Sequence, residues 1–218
     1  MTALKVDYLF STPMAAIEYD RAHVLNPALT ARILRMEKEG DKHRDTTVRQ
    51  SQGGALFESH FDLFKLPDPE FQEVAQFCHR ALSSLLLQVS DIDRALFQRL
   101  SFHYDAWFHV SRKHAFQGTH NHQNASWSGI YCVDPGDSPA DEPLSGVVRF
   151  HDPRANIFMY ADAGNEHLKD MIKHTCFDLR HKAGQLMLFP SYLWHEIFPY
   201  MGERPRIVIA FNCSIRPT

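Results

Sequence analysis

Residues 184–212 read GQLMLFPSYLWHEIFPYMGERPRIVIAFN. The stretch holds three short apolar runs, QLMLFPS, LWHEIFP and RIVIAFN, with proline and glycine between them. Runs of this length bounded by turn residues read as β-strands rather than helices. The last run carries the most information. Successive strand residues point to opposite faces, so Ile207, Ile209 and Phe211 share one face and Arg206, Val208, Ala210 and Asn212 share the other. The bulky face reads as core. The small and polar face reads as a wall that something else approaches. An arginine on an inward face requires an anionic partner; on an outward face it sits in water.

Working back along the chain, the same period continues. LFQRLSFHYDAWFHVSR (96–112), SWSGIYCVD (126–134) and SGVVRFHDP (145–153) are aromatic-rich or β-branched runs separated by Pro, Gly, Asp and Asn. Many short strands with turn signals indicate a β-sandwich or barrel. The segment 154–180 has no clear period and reads as a loop or lid. Upstream of about residue 97 the period is helical. NPALTARILRMEKEG (26–40) places an Asn26-Pro27 cap before Leu29, Ile33, Leu34 and Met36. DPEFQEVAQFCHRALSSLLLQV (68–89) starts at Asp68-Pro69 and repeats apolar residues at helical spacing. DKHRDTTVRQSQGGALFES (41–59) between them is polar and reads as a loop with a turn at Gly53-Gly54. The expected organisation is one domain over 1–218, a helical layer (1–96) packed on a β core (97–218), mainly β with N-terminal helices, α+β.

The chain has 218 residues and a net charge of −3 with histidine neutral. That charge favours neither nucleic acid nor an anionic membrane. No apolar run approaches the length that spans a bilayer. The opening MTALKVDYLFSTPMAA lacks the basic start and apolar core of a secretory signal. Cys78, Cys132, Cys176 and Cys213 form no CxxC pair, which fits reduced thiols. The expectation is a cytoplasmic protein with no membrane or nucleic-acid partner, a small-molecule or protein side-chain substrate, and a homodimer by the general frequency of such assemblies.

Histidine is unusually frequent, at 14 residues. Within GTHNHQNASWSGIYCVDP (118–135), His120 and His122 can present two imidazoles on one strand face to one ion, or both can face solvent in a polar loop. His195 lies in an apolar strand, where a lone histidine is either a satisfied core residue or a third ligand. Taken together, three imidazoles would leave open positions on a first-row metal. Arg206 can grip a carboxylate through two parallel hydrogen bonds. That is equipment for holding a metal and a dicarboxylate side by side.

The ordered set HNHQNASWSGIY (120–131), SGVVRFHDPR (145–154), GQLMLFPSYLWH (184–195) and RIVIAFN (206–212), with LFSTP at 9–13, resembles the Fe(II)- and 2-oxoglutarate-dependent oxygenases, in particular a bacterial and phage group of them. The likeness covers residues 100 to 213 well and the N-terminal half loosely. It implies a double-stranded β-helix, a cupin-like jelly roll, with Fe(II), 2-oxoglutarate and O₂ as cofactor and co-substrates of a hydroxylase-type dioxygenase. It implies His120, His122 and His195 as metal ligands and Arg206 as the residue for the distal carboxylate. The wider superfamily carries a carboxylate at the position of His122; histidine there fits the subgroup, and Asp152 is the rival carboxylate. Tyr131 is a candidate hydrogen bond to the co-substrate, or else a core tyrosine. Trp107 and His109 alternate like a pocket-lining pair, and His109 is taken as co-substrate-binding although relatives often have asparagine there. Asn212 shares the face of Arg206; Glu196 should face away from His195. Loop 41–55 and segment 154–180 would form the substrate lip. Two alternatives stand beside this reading: a three-histidine cupin-type dioxygenase that uses no 2-oxoglutarate, and a metal-binding jelly-roll module without catalysis.

Overall fold

A computed structural model describes residues 4–6, 8–154, 162–169, 172–173 and 175–218. The elements run β1 (Ala15–Glu18), α1 (Ala22–Lys38), β2 (Gln52–Gly53), β3 (Leu56–Glu58), α2 (Pro69–Val89), α3 (Arg94–Phe97), β4 (Leu100–Ser111), β5 (Phe116–His120), β6 (Trp127–Asp134), β7 (Val148–Phe150), β8 (Phe177–Leu179), β9 (Gln185–Pro190), β10 (His195–Ile197) and β11 (Arg206–Pro217). They form two antiparallel sheets, ordered β1-β9-β6-β11-β4-β3 and β2-β5-β10-β7-β8.

The alternation in β11 has the consequence its sequence predicts. Ile207, Ile209, Phe211 and Cys213 enter a core with Leu29, Ile33, Phe71, Val74 and Leu82 of the helices. Val208 on the other face joins a second core between the sheets, with Ile130, Phe150, Phe189 and Leu193. A one-residue slip of β11 would exchange its faces. Each bulky side chain removed from the helix-side core would forfeit about 1.5–3 kcal/mol of burial. The register is therefore firmly set, and it fixes Arg206 and Asn212 between the sheets.

Helix α2 starts at Pro69, as its Asp68-Pro69 signal predicts. Helix α1 does not start at Asn26-Pro27. It begins at Ala22, with Pro27 inside it. Asn26 is drawn into the core instead of capping: its amide Nδ2 donates to Val133 O at 2.8 Å, and its Oδ1 accepts from Tyr131 Oη–H at 2.7 Å. Buried polar groups demand partners, and that demand outweighs the local capping preference.

Three further expectations are corrected. The stretch 41–59 is not all loop: β2 pairs with β5 and β3 with β4, extending one edge of each sheet. Gly54, at φ +69°, makes the reversal between them. Strand β4 begins at Leu100, because Asp93 accepts a hydrogen bond from Leu96 N at 2.7 Å and holds residues 94–97 in a helical turn. Within 154–180, β8 is an edge strand paired with β7; residues 155–161, 170, 171 and 174 of that segment lie outside the described residues.

Candidate active site

Strand pairing brings the histidines together. His120 ends β5 and His195 begins β10, and the antiparallel register sets them opposite each other. Their ring centroids lie 4.3 Å apart. His122, two residues beyond β5, is fixed by its backbone N–H, which donates to Ser191 O at 2.9 Å. Its ring lies 5.3 Å from that of His120 and 5.1 Å from that of His195. One ligand atom from each of the three falls within 4.8 Å of the others.

Each ring has its Nδ1 engaged. That of His120 donates to Gly118 O at 2.8 Å, that of His195 to Leu193 O at 3.0 Å, and that of His122 to Asn212 Oδ1 at 2.5 Å. Ser128 Oγ donates to the same Asn212 oxygen at 2.8 Å and in turn meets Ser191 Oγ at 2.8 Å. Hydrogen bonds of this kind select the tautomer and orient a metal-binding imidazole. The Nε2 lone pairs could then be offered to one ion, and His122 Nε2 is buried with no hydrogen-bond partner. Trp107 stacks on the His122 ring at 5.9 Å.

Burial disfavours the charged imidazolium. It lowers all three pKa values, His122 to about 4 and His195 well below the ordinary value, with mutual repulsion assisting at both. The three rings are neutral and ready as ligands at neutral pH.

A narrow slot runs from these rings to Arg206, walled by Val208 and Ala210 of β11 and by Gln117, Val148 and Ile197. Arg206 is 4% exposed. Its Nη2 has no hydrogen-bond partner. Burial depresses its pKa, and the groups acting on its charge are Cys132 and Tyr200, neither of them a carboxylate. Gly146, at φ +63°, packs against it: a Cβ there would lie 3.1 Å from Arg206 Cδ. A buried guanidinium with a free donor at the end of a slot fits an incoming carboxylate. Three converging imidazoles at the other end fit a first-row metal.

Other predicted residues fall into place or out of it. His109 lines the slot, and its Nε2 meets Glu58 Oε2 at 2.6 Å and Trp107 Nε1 at 3.2 Å. Burial works against the Glu58 carboxylate, yet the bond to His109 prevails and holds it below its usual range. Tyr131 is not at the slot. It pairs with Ile209, so it shares the helix-side face, and it is fully buried beside Phe77 and bonded to Asn26. Of its two readings, Tyr131 is the core tyrosine and not a co-substrate contact. Asp152 is not with the histidines either; it accepts the backbone N–H of Arg154 at 3.0 Å and pairs with its guanidinium. Glu196 faces away from the cluster, 3.2 Å from His151 Nε2.

A second opening reaches His120 and His122 from outside. It is a cavity of about 330 Å³ lined by Arg49, Gln52, Phe61, Trp107 and Asn121 among others. Arg49 and Gln52 come from the loop predicted as a lip, and both hydrogen-bond Glu58. Glu58 gave no sequence signal, because it lies in a stretch with no readable period.

The sequence profile of a family described as "Putative 2OG-Fe(II) oxygenase" matches residues 105–212. The matched segment contains all three histidines and Arg206. No curated protein matches the chain. Among solved structures, a Pseudomonas putida prolyl-4-hydroxylase is similar over 93% of this chain and 92% of its own, with 18% identity and a TM-score of 0.60. A Trichoplax adhaerens prolyl hydroxylase in complex with a hypoxia inducible factor peptide is similar over 92% of this chain and 83% of its own, at 10% identity and TM-score 0.60. HygX from Streptomyces hygroscopicus, with nickel, 2-oxoglutarate and hygromycin B bound, is similar over 95% and 84%, at 15% identity and TM-score 0.56. These likenesses give the fold, the double-stranded β-helix of such oxygenases.

Proposed function

We propose, for a chain that belongs to the 2OG-Fe(II) oxygenases, that His120, His122 and His195 hold its iron and that Arg206 holds the far carboxylate of its 2-oxoglutarate. The enzyme is an Fe(II)- and 2-oxoglutarate-dependent oxygenase using O₂. Bound iron and 2-oxoglutarate together supply the activation of O₂ that oxidises the substrate. The chain supplies position, charge and exclusion of water. Nε2 atoms of His120 on β5, His122 in the turn after it and His195 on β10 would hold the metal, beside the slot that would receive the co-substrate. Arg206 fixes the register of a dicarboxylate and disfavours monocarboxylates. The apolar walls Val148, Ile197 and Val208 keep water from the chain between its two ends.

The single observation that carries this reading is the paired lack of partners at the two ends of one slot: His122 Nε2 at one, Arg206 Nη2 at the other. A three-histidine dioxygenase without 2-oxoglutarate leaves Arg206 buried without purpose. A purely structural metal does not account for the slot beside it. The direct assay is succinate formation from 2-oxoglutarate by iron-loaded enzyme. Formation that requires both Fe(II) and Arg206 supports the proposal; formation unaffected by Arg206→Ala removes it.

The substrate reaches the metal through the opening lined by Arg49, Gln52, Phe61 and Trp107, and a small polar molecule or a protein side chain fits it. No helix of the described residues is long and apolar enough to cross a membrane. A cytoplasmic setting is part of the same proposal, supported by four free thiols. A homodimer is proposed on general grounds and is read by solution mass. That the whole chain acts as one unit is supported by the core that α1 and α2 share with β4, β6 and β11.

A further inference from the structure

His181 lies between β8 and β9, 5% exposed, and neither of its ring nitrogens has a hydrogen-bond partner. A histidine this deeply buried normally satisfies both nitrogens. It lines a cavity of about 440 Å³ whose wall has one residue in common with the co-substrate slot, and that residue is Arg206. Arg206 thus forms the partition, with the slot on one side and His181 on the other. Several other polar groups around the rear cavity are committed. Asp137 Oδ1 accepts from Tyr200 Oη–H at 3.0 Å and Arg204 N–H at 2.8 Å. Ser138 Oγ donates to Ser145 O at 3.1 Å, Ser145 Oγ accepts from Met201 N–H at 2.9 Å, and Arg180 donates to Pro143 O. The buried side-chain groups of this cavity left unpaired are complementary: a guanidinium N–H on Arg206 and a ring lone pair on His181.

Resting on the assignment of Arg206 to the co-substrate, we infer that His181 is a positioning residue for 2-oxoglutarate: when the carboxylate draws one Nη2–H of Arg206 into the slot, the neutral imidazole accepts the other Nη2–H, which the ligand-free structure leaves unpaired. Burial and the neighbouring Arg206 charge keep this imidazole neutral, with its pKa pushed down to about 3. A neutral ring can accept from a cation; an imidazolium would repel it. A guanidinium held from behind as well as by the carboxylate keeps one position in the complex, so it binds more tightly and discriminates chain length more sharply. Gly146 packed on the arginine stem closes the remaining direction.

The test compares His181→Phe, which fills the space without an acceptor, with His181→Gln, which restores one. In iron-loaded enzyme, His181→Phe raises the KM for 2-oxoglutarate by about tenfold, the size of one lost hydrogen bond to a charged group. It leaves kcat at saturating 2-oxoglutarate and iron stoichiometry unchanged. It also narrows the preference for 2-oxoglutarate over the one-carbon-longer 2-oxoadipate, which a merely structural role would not do. His181→Gln recovers most of both effects. If His181→Phe does not fold, His181→Ala takes its place with the same expectations. An unchanged KM and unchanged preference overturn the inference, as does equal damage in the Phe and Gln variants. Arg206→Ala separates the two levels. If it spares 2-oxoglutarate use, the reading of Arg206 fails; if it abolishes that use while His181→Phe does not alter it, only the role of His181 fails.

Discussion

His122 Nδ1 donates to Asn212 Oδ1 at 2.5 Å, so a polar residue on the slot face of β11 orients the middle member of the histidine cluster. The bond ties the turn after β5 that carries His122 to the strand that carries Arg206. It also fixes the tautomer that leaves Nε2 free.

Replacing Asn212 by Leu removes that orientation while keeping the volume. Losses at such supporting positions run to roughly 10–100-fold in metal affinity. Anaerobic Fe(II) titration of Asn212→Leu should show a fall in that range, with the fold retained by circular dichroism. Wild-type affinity in the variant would mean that the bond does not orient a ligand.

Three neutral imidazoles leave the full charge of a divalent metal, whereas a carboxylate ligand would cancel one unit. The dianionic co-substrate then contributes more of the compensation, so iron should bind more tightly in the presence of 2-oxoglutarate, and the effect is reciprocal. His122→Asp should weaken this coupling. Equal iron affinity with and without 2-oxoglutarate in the wild type contradicts the assignment.

The pH dependence has a definite sign. Free imidazole titrates near a pKa of about 6.5, while burial holds His122 at about 4 in the folded metal-free protein. Between these values the unfolded chain binds the proton and the folded one does not. Stability from this group is therefore fully present above about pH 6.5 and is lost as pH falls toward 4. The amount is on the order of 3 kcal/mol. Urea denaturation of metal-free protein at pH 7 and pH 4 measures it; because His120 and His195 shift in the same direction, His122→Phe should shrink the difference without abolishing it. By the same shift, proton competition with metal sets in below the pH that free histidine would suggest.

Tyr131 separates core from site. Tyr131→Phe leaves Asn26 Oδ1 without its donor, at a cost of about 1–3 kcal/mol. The KM for 2-oxoglutarate should not move. A raised KM with unchanged stability would restore the tyrosine to the co-substrate pocket.

Much of this site could be read from the chain, and the parts that could not share a cause. The alternation of Arg206, Val208, Ala210 and Asn212 against Ile207, Ile209 and Phe211 is local, and it sorted the faces of β11 correctly. The same rule applied to β6 separates Tyr131 from Ile130 but does not say which one faces the slot. Only the pairing of Tyr131 with Ile209 and of Ile130 with Ala210 decides that. Asn26 looked like a cap because its partners, Tyr131 and Val133, are distant in sequence. Glu58 and His181 lie in stretches too short or too irregular to carry a period, and their importance comes from His109 and Arg206, far along the chain.

The central claim is that one slot joins a three-histidine metal site to Arg206. Its most direct test is anaerobic titration of 2-oxoglutarate into Fe(II)-loaded protein, followed by the visible metal-to-ligand charge-transfer band. Wild type should develop the band at low 2-oxoglutarate, Arg206→Ala only at much higher concentration with iron still bound, and His195→Ala not at all for want of iron. A band of wild-type strength and midpoint in Arg206→Ala, or full iron binding in His195→Ala, would contradict the account.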